Sequence, residues 1–292
     1  MEALHQQGEK ATLQEHQQAL LVLLREFDRV CKRLEVPYYL FAGTLLGSVR
    51  HQGFVPWDDD LDIVMLRKDY QRFLAEAPGV LDQEHFALQA EFSPHWPMFF
   101  SKLRLEGTAC IEKYHPRDLQ THRGVYMDIF PCDNAYESPL GRKLQFYASK
   151  VVIAKGLQNR GYDTQSKKKK LFMGLCRLLP GGIFRAIVRG PKKTGAWVHS
   201  FLGGASKFSR SVYPAACFGK PGQGSFAGGS YPIPADPHTL LSILYGDYMT
   251  LPPEEERKCK AHCVLVDLTR SYREYDHYTD GITFDVPARS IR

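Results

Sequence analysis

The sequence has no Cys-x-x-Cys pair, no run of about 18 apolar residues, and neither a Gly-x-Gly-x-x-Gly nor a Walker motif. The missing apolar run removes a membrane-spanning helix, and the missing glycine motifs count against a dinucleotide site and an ordinary ATPase. Seven cysteines, Cys31, Cys110, Cys132, Cys176, Cys217, Cys259 and Cys263, are odd in number and scattered, so free thiols in a reducing cytoplasm are expected rather than a disulfide framework. No export signal is expected, because residues 1–10 are polar and the first apolar stretch, Ala19 to Leu24, is short. Acid is scarce in one stretch. From Ser138 to Arg210, 16 Lys or Arg face the single acid Asp163, so that segment carries +15 while the rest, with 22 basic and 31 acidic residues, carries −9. The net +6 hides this polarity.

The remaining pattern is that of a chain with a substantial core. Thr12-Leu13-Gln14-Glu15 is a capping box, and Leu13, Leu20, Leu24, Phe27, Cys31 and Leu34 follow at helical spacing until Pro37 stops the helix. Strands are expected at Tyr38–Ala42, Leu61–Met65, His85–Ala90, Phe99–Arg104 and Val125–Phe130, with helices at Leu45–Arg50 and Lys68–Glu76. This interleaving predicts an α+β mixed sheet flanked by helices over 1–137. A basic helical segment over 138–210 and a loop-rich part over 211–292 follow, the latter expected to pack back on the core. Gly203 to Pro237 reads as a long ordered loop or short strands.

Asp58-Asp59-Asp60-Leu61-Asp62 is the most informative segment. On an extended chain Asp60 and Asp62 share a face while Leu61 and Ile63 turn to the core. Two carboxylates about 4 Å apart repel by roughly 4 kcal/mol at an effective dielectric near 20, so the pair calls for a cation or a shared proton. Oxygen ligands suit Mg²⁺ or Mn²⁺. Asp128, among Val125, Met127 and Ile129, offers a third carboxylate. A calcium loop starting at Asp58 fails, because Ile63 stands where its turn glycine belongs. Upstream, Gly43-Thr44-Leu45-Leu46-Gly47-Ser48-Val49-Arg50 is a glycine turn entering a helix, able to present N–H groups, hydroxyls and a guanidinium to phosphate.

Tyr38 to Asp62, reading YYLFAGTLLGSVRHQGFVPWDDDLD, resembles the LicD family of phosphocholine transferases, relatives of fukutin and fukutin-related protein. Lys102-Leu103-Arg104 with Thr108, Asp128-Ile129-Phe130-Pro131-Cys132-Asp133, Tyr245-Gly246-Asp247-Tyr248-Met249 with Leu251-Pro252-Pro253, and His262 extend the resemblance. It implies a nucleotidyltransferase-like fold. It further implies a metal on Asp60 and Asp62 with Asp128 as third acid, and donor phosphates at Gly43 and Thr44. Gly47, Ser48, Arg50, Asp58, Lys102, Arg104 and His262 are the further candidates for substrate binding. The implied reaction moves a phospho-alcohol, phosphocholine foremost, from a CDP-linked donor to a sugar hydroxyl of a cell-surface glycan, teichoic acid or lipopolysaccharide, or its lipid-linked precursor, with release of CMP. Asp128, or less favourably Asp58, would orient or deprotonate the acceptor. One departure is Phe226-Ala227-Gly228, where the family pattern has Phe-Glu-Gly; another is Cys132 for an aliphatic residue.

Other readings use the same residues. A nucleotidyltransferase acting on a small phosphorylated substrate, phosphoribitol or phosphoglycerol transfer, and an inactive binding protein allowed by Ala227 all remain open. An Asp-x-Asp glycosyltransferase would need more chain before its aspartates. Trp57 is expected to pack beneath its loop, and His262 to be packed or substrate-facing rather than a zinc ligand. Lys167-Lys168-Lys169-Lys170 followed by Leu171, Phe172, Leu175, Leu178 and Leu179 reads either as a solvated basic face or as peripheral contact with the inner membrane face. Nucleic acid is not expected, since no aromatic interleaving accompanies the charge.

Overall fold

A computed structural model describes residues 11–112, 120–162, 164–203, 207–259 and 262–275. Asp163 and residues 276–292 of the C-terminal part lie outside the described residues. The chain opens on α1 (Leu13–Leu34), where both halves of the Thr12–Glu15 capping box form. Such a cap is worth about 1 kcal/mol. Leu20, Leu23, Leu24, Phe27 and Val30 are fully buried along one face of α1. Glu35 ends the helix in the left-handed conformation at φ 51°, its N–H bonded to the carbonyls of Cys31 and Lys32. Pro37 follows, as the sequence predicts.

Next come β1 (Tyr39–Leu40), α2 (Ala42–His51), β2 (Asp62–Leu66), α3 (Arg67–Glu76), β3 (Phe86–Gln89), β4 (Ser101–Leu105), β5 (Ala109–Glu112) and β6 (Tyr126–Asn134). The main sheet runs β1-β2-β6-β4-β3, with β2 and β6 parallel and the other pairs antiparallel. The last residues of β6 pair with β7 (Trp197–His199), which pairs with β8 (Val212–Pro214). Ile63, Leu103, Met127 and Ile129 face the core that α1 covers, so alternation sends Asp62, Lys102 and Asp128 to the opposite face. The α+β class and the mixed sheet are those expected.

The basic segment forms α4 (Pro139–Asn159), α5 (Lys167–Leu178) and α6 (Gly181–Arg189). α4 and α6 share an apolar cluster through Val152 and Val188, and α5 leans on α4 through Met173 and Cys176. Beyond it, β9 (Gly222–Phe226) and β10 (Gly229–Ile233) make a hairpin inside the stretch read as loop or short strands, followed by α7 (Pro237–Tyr245) and β11 (Cys263–Asp267). The hairpin docks on α2: Ser48 Oγ donates to the Ser225 carbonyl at 2.9 Å, and Ala227 N–H to the Gln52 carbonyl at 2.8 Å.

Two expectations need correction. β2 begins at Asp62, so Asp60 stands in the preceding loop rather than on the strand with it. Cys110 and Cys263 are disulfide-bonded, not free, because antiparallel pairing of β5 with β11 brings together positions 153 residues apart. Cys31, Cys132, Cys176 and Cys217 are buried thiols. The argument for a reducing compartment loses that pair. Among the described residues no single helix is long and apolar enough to cross a membrane; α5 and α6 pass such a test only together, across a 96° bend.

Candidate active site

Parallel pairing sets Asp62 opposite Asp128, and antiparallel pairing sets Asp128 opposite Lys102. Cross-strand partners share a face, so Asp62, Asp128 and Lys102 form one row across β2, β6 and β4. Thr44 Oγ1 accepts the Asp62 N–H at 2.8 Å and pins the first residue of β2 to α2. Asp58 and Asp60 sit beside the row on the loop that leads into β2. Gly43 faces them at van der Waals range: a Cβ there would stand 2.4 Å from Asp58 Oδ2 and 3.9 Å from Asp60 Oδ1. The preceding Ala42 holds φ at 44°, a left-handed conformation that costs an alanine about 1 kcal/mol. The glycine turn therefore closes directly onto the aspartates.

The carboxyls are short of positive charge. Burial, then the charges of Asp60 and Asp59, push Asp58 up to about 8. Burial pushes Asp60 up despite His262, and pushes Asp62 well above the carboxylate range with the help of Asp60, Asp128 and Asp58. Asp59 behaves differently. Burial raises it, but His262 outweighs burial and holds it below the usual range. His262 Nδ1 meets Asp59 Oδ1 at 2.7 Å and the His262 N–H donates to Oδ2 at 2.7 Å. The bond to Asp59 and the charge of Asp60 bring the imidazole up to about 9. His262 is thus a clamp between the aspartate loop and β11, 3.9 Å from Asp60 Oδ2.

Lys102 and Arg104 are buried on β4. Lys102 Nζ lies 3.0 Å from Asp128 Oδ1 and 2.9 Å from Glu112 Oε1, over the Tyr126 ring. Arg104 donates to Gln89 Oε1 at 2.6 Å and to the Gly124 carbonyl at 2.8 Å. Arg160, from the end of α4, also pairs with Glu112. Arg50 reaches the Tyr248 carbonyl at 2.6 Å and Ser48 the β9 backbone, so both are engaged within the chain. Gly47 packs under the loop after α2, where a Cβ would stand 2.3 Å from the Gly53 carbonyl. Trp57 meets His51 edge-on, with ring centroids 6.4 Å apart.

Glu112 and Arg160 belong to this surround without a signal in the sequence, whereas Asp59 and Tyr245 stood inside recognised motifs without a site role assigned to them. Glu112 is held far below its usual range by Arg160, Lys102 and Arg104 in spite of burial. Burial and the charges of Asp62, Asp58 and Asp60 keep the Tyr245 phenol protonated. Nothing local distinguished Asp59 from the aspartates on either side of it.

A hard divalent cation fits the donor chemistry. Asp58, Asp60 and Asp62 are carboxyls raised by burial and mutual charge, and Asp128 Oδ1 is buried with no aligned hydrogen-bond donor. Among the described residues, three potential ligand atoms gather within 4.8 Å only at the exposed Asp82, Glu84 and His85, so Asp60, Asp62 and Asp128 stand more widely apart.

Residues 35–155 match the family model described as LicD/FKTN/FKRP, nucleotidyltransferase domain. The chain is 28% identical over 265 residues to the lipopolysaccharide cholinephosphotransferase LicD of Haemophilus influenzae, covering 85% of this chain and 96% of that protein. Uncharacterized proteins of Rickettsia typhi and Rickettsia prowazekii are 40% and 41% identical over 55 and 51 residues, 19% and 18% of this chain and 18% and 19% of theirs. The glycine turn closing on the aspartates and the strand pairing of Asp62 with Asp128 lie within the stretch 35–155 that matches the LicD/FKTN/FKRP model, and the similarity to the Haemophilus protein runs nearly the full length of both chains.

Proposed function

We propose that the chain is a transferase that moves phosphocholine from CDP-choline to a sugar hydroxyl of a lipopolysaccharide-type glycan or its lipid-linked precursor, releasing CMP. The observation that carries this reading is the set of under-neutralised carboxyls, Asp58, Asp60 and Asp62, beside Asp128 and the Lys102–Arg104–Arg160 cluster. Carboxyls alone would repel a diphosphate, whereas carboxyls with a divalent cation would bind one. Asp60 and Asp62 would hold Mg²⁺ or Mn²⁺, with Asp128 as third acid; the ion would neutralise charge on the donor diphosphate. Gly43 keeps the turn clear of Asp58, Thr44 fixes where β2 presents Asp62, and Gly47 and Ser48 hold α2 in its place.

In the transfer the acceptor oxygen bonds to the choline-bearing phosphorus, the bond from that phosphorus to the CMP oxygen breaks, and the hydroxyl proton passes to a base. Asp128 orients the hydroxyl and takes that proton. Lys102, 3.0 Å from Asp128 Oδ1, and Arg104 contribute positive charge toward phosphate oxygens. Arg50 and His262 set the C-terminal part against the aspartate loop, and Asp58 buffers the charge next to Asp60. In this reading 1–137 is the catalytic core, 138–210 a basic helical segment and 211–292 the part that completes the site. The protein works peripherally at the inner membrane face.

The test is product release with a panel of CDP-alcohols in Mg²⁺. CMP from CDP-choline above CDP-ribitol and CDP-glycerol is expected; preference for either of those would change the alcohol but keep the mechanism. Pyrophosphate from CTP and phosphocholine, without CMP from any CDP-alcohol, would replace the proposal with nucleotidyl transfer.

A further inference from the structure

Nine of the thirteen large hydrophobic side chains exposed among the described residues lie between 138 and 210. Six of them gather at the corner of α5 and α6: Leu171, Phe172, Leu175, Leu178, Leu179 and Ile183, with Leu178 83% and Leu171 67% exposed. Along α5 they recur at three- and four-residue spacing. They form a stripe separate from Met173 and Cys176, the pair that α5 buries against Val151 and Ala154 of α4. An amphipathic helix on a globular domain ordinarily has one apolar stripe. α5 has two, one docked and one bare.

The bare stripe is held outward by the fold. Lys155 of α4 donates to the carbonyls of Cys176, Arg177 and Leu179 at 3.1, 3.0 and 2.9 Å, which satisfies the C-terminal end of α5. Ser166 caps the other end. α6 then leaves at 96°, anchored by the fully buried Val188. The corner is therefore an exposed apolar surface held in place by α4 and by the anchored α6.

Charge indicates what covers it. Lys167, Lys168, Lys169 and Lys170 fill the first turn of α5, where the helix dipole disfavours cations, so they weaken the helix they begin. Arg177, Arg185, Lys192 and Lys193 continue the basic character, and Asp163 is the single acid from 138 to 210. A second copy of this chain would bring a like-charged face against it. An anionic lipid surface complements both features, since apolar side chains enter the boundary between headgroups and acyl chains while lysine stems extend back to the phosphates.

We propose that the α5–α6 corner is a membrane-docking element for anionic bilayers, with Leu171, Leu175 and Leu178 below the phosphates and Lys167–Lys170 at their level. It stands independently of which alcohol phosphate, if any, the aspartate site transfers.

Flotation of the full chain with vesicles of phosphatidylcholine alone, and of phosphatidylcholine with phosphatidylglycerol, tests it. Each basic residue near such a surface contributes about fivefold in partition, so replacing Lys167, Lys168, Lys169 and Lys170 by Gln should lower the partition coefficient on anionic vesicles by about six hundredfold. The triple variant Leu171→Ser, Leu175→Ser, Leu178→Ser should lower it at least about tenfold without moving the thermal midpoint, because these side chains have no partner to lose. A Leu175→Trp variant should shift its emission to the blue on anionic vesicles only. Equal recovery of the wild type from neutral and anionic vesicles would overturn the proposal. So would unchanged partition of the triple variant, or a lipid-free dimer that the same substitutions dissociate.

Discussion

Gly43 has no side chain because Asp58 occupies the place one would take: a methyl there would stand 2.4 Å from the Asp58 carboxyl. Gly43→Ala should displace Asp58, and Asp60 with it, while α2 keeps its other contacts. We expect turnover to fall by about ten- to a hundredfold with the thermal midpoint nearly unchanged, since misplacing a reacting group by about 1 Å costs on that order. Initial rates and a melting curve on the same sample check it. The glycine turn and the aspartates were both legible in the sequence, each from local spacing. Their contact was not, because it depends on how residues 52–61 fold back over α2. Asp59 illustrates the same limit. Its neighbours Asp58 and Asp60 were read as site residues, yet its hydrogen bonds to His262 tie it to a residue 203 positions away. Ala227, at φ 48° in the β9–β10 turn, places the position of the expected acid at a hairpin tip docked on Gln52.

At the scale of elements, α1 was readable to its ends because the capping box, the apolar spacing and Pro37 all agree. β6 was read only as far as Phe130 and runs to Asn134. Pro131 interrupts the strand pattern, and Cys132 and Asp133 are continued into the strand by pairing with β2 and β7, which no local rule anticipates. Asp133 has a structural partner there. Arg67 opens α3 and donates to Asp133 at 2.6 and 3.0 Å and to Glu91 at 2.8 Å, all three groups being nearly or fully buried. Arg67→Met leaves the buried Asp133 without its cation and Glu91 with Arg189 alone at 3.4 Å, and should destabilise the protein by about 3–5 kcal/mol in a urea titration.

His199 gives β7 a pH dependence. Its Nε2–H donates to the Val188 carbonyl at 2.9 Å and Nδ1 accepts from the Phe201 N–H at 3.3 Å, so both nitrogens are committed in the neutral form. Burial brings its pKa down from 6.5 to about 4; Asp133 and the Val188 bond oppose this, and Arg67 adds to it. The unfolded chain therefore binds the proton more readily. Stability from this group is full above pH 6.5 and is lost as pH falls toward 4, by about 2 kcal/mol at pH 5. His199→Gln should reduce the difference between urea midpoints at pH 8 and pH 5 by that amount; an unchanged difference would refute the assignment.

For the molecule as a whole, the α+β class followed from the interleaving of periodicities, and charge division along the sequence maps onto parts of the structure. The acidic share contains the aspartates whose burial leaves them under-neutralised, and the +15 segment folds into α4, α5 and α6. What composition could not convey is how these parts meet. Arg160 leaves the basic segment to pair with Glu112, and the Cys110–Cys263 bond ties β5 to β11, next to the His262 clamp. Spacing carries no information about either, since both rest on contacts closed only in the folded chain.

The central claim is that Asp62, paired across the sheet with Asp128, holds the cation on which transfer depends. Its most direct test is the rate of CMP release from CDP-choline in Mg²⁺ by the wild type and by Asp62→Asn, a change that keeps the shape and removes the charge. The account predicts release by the wild type and a loss of at least about a thousandfold in the variant, with the fold intact by circular dichroism. Release by a folded Asp62→Asn protein within a few fold of the wild type would contradict it.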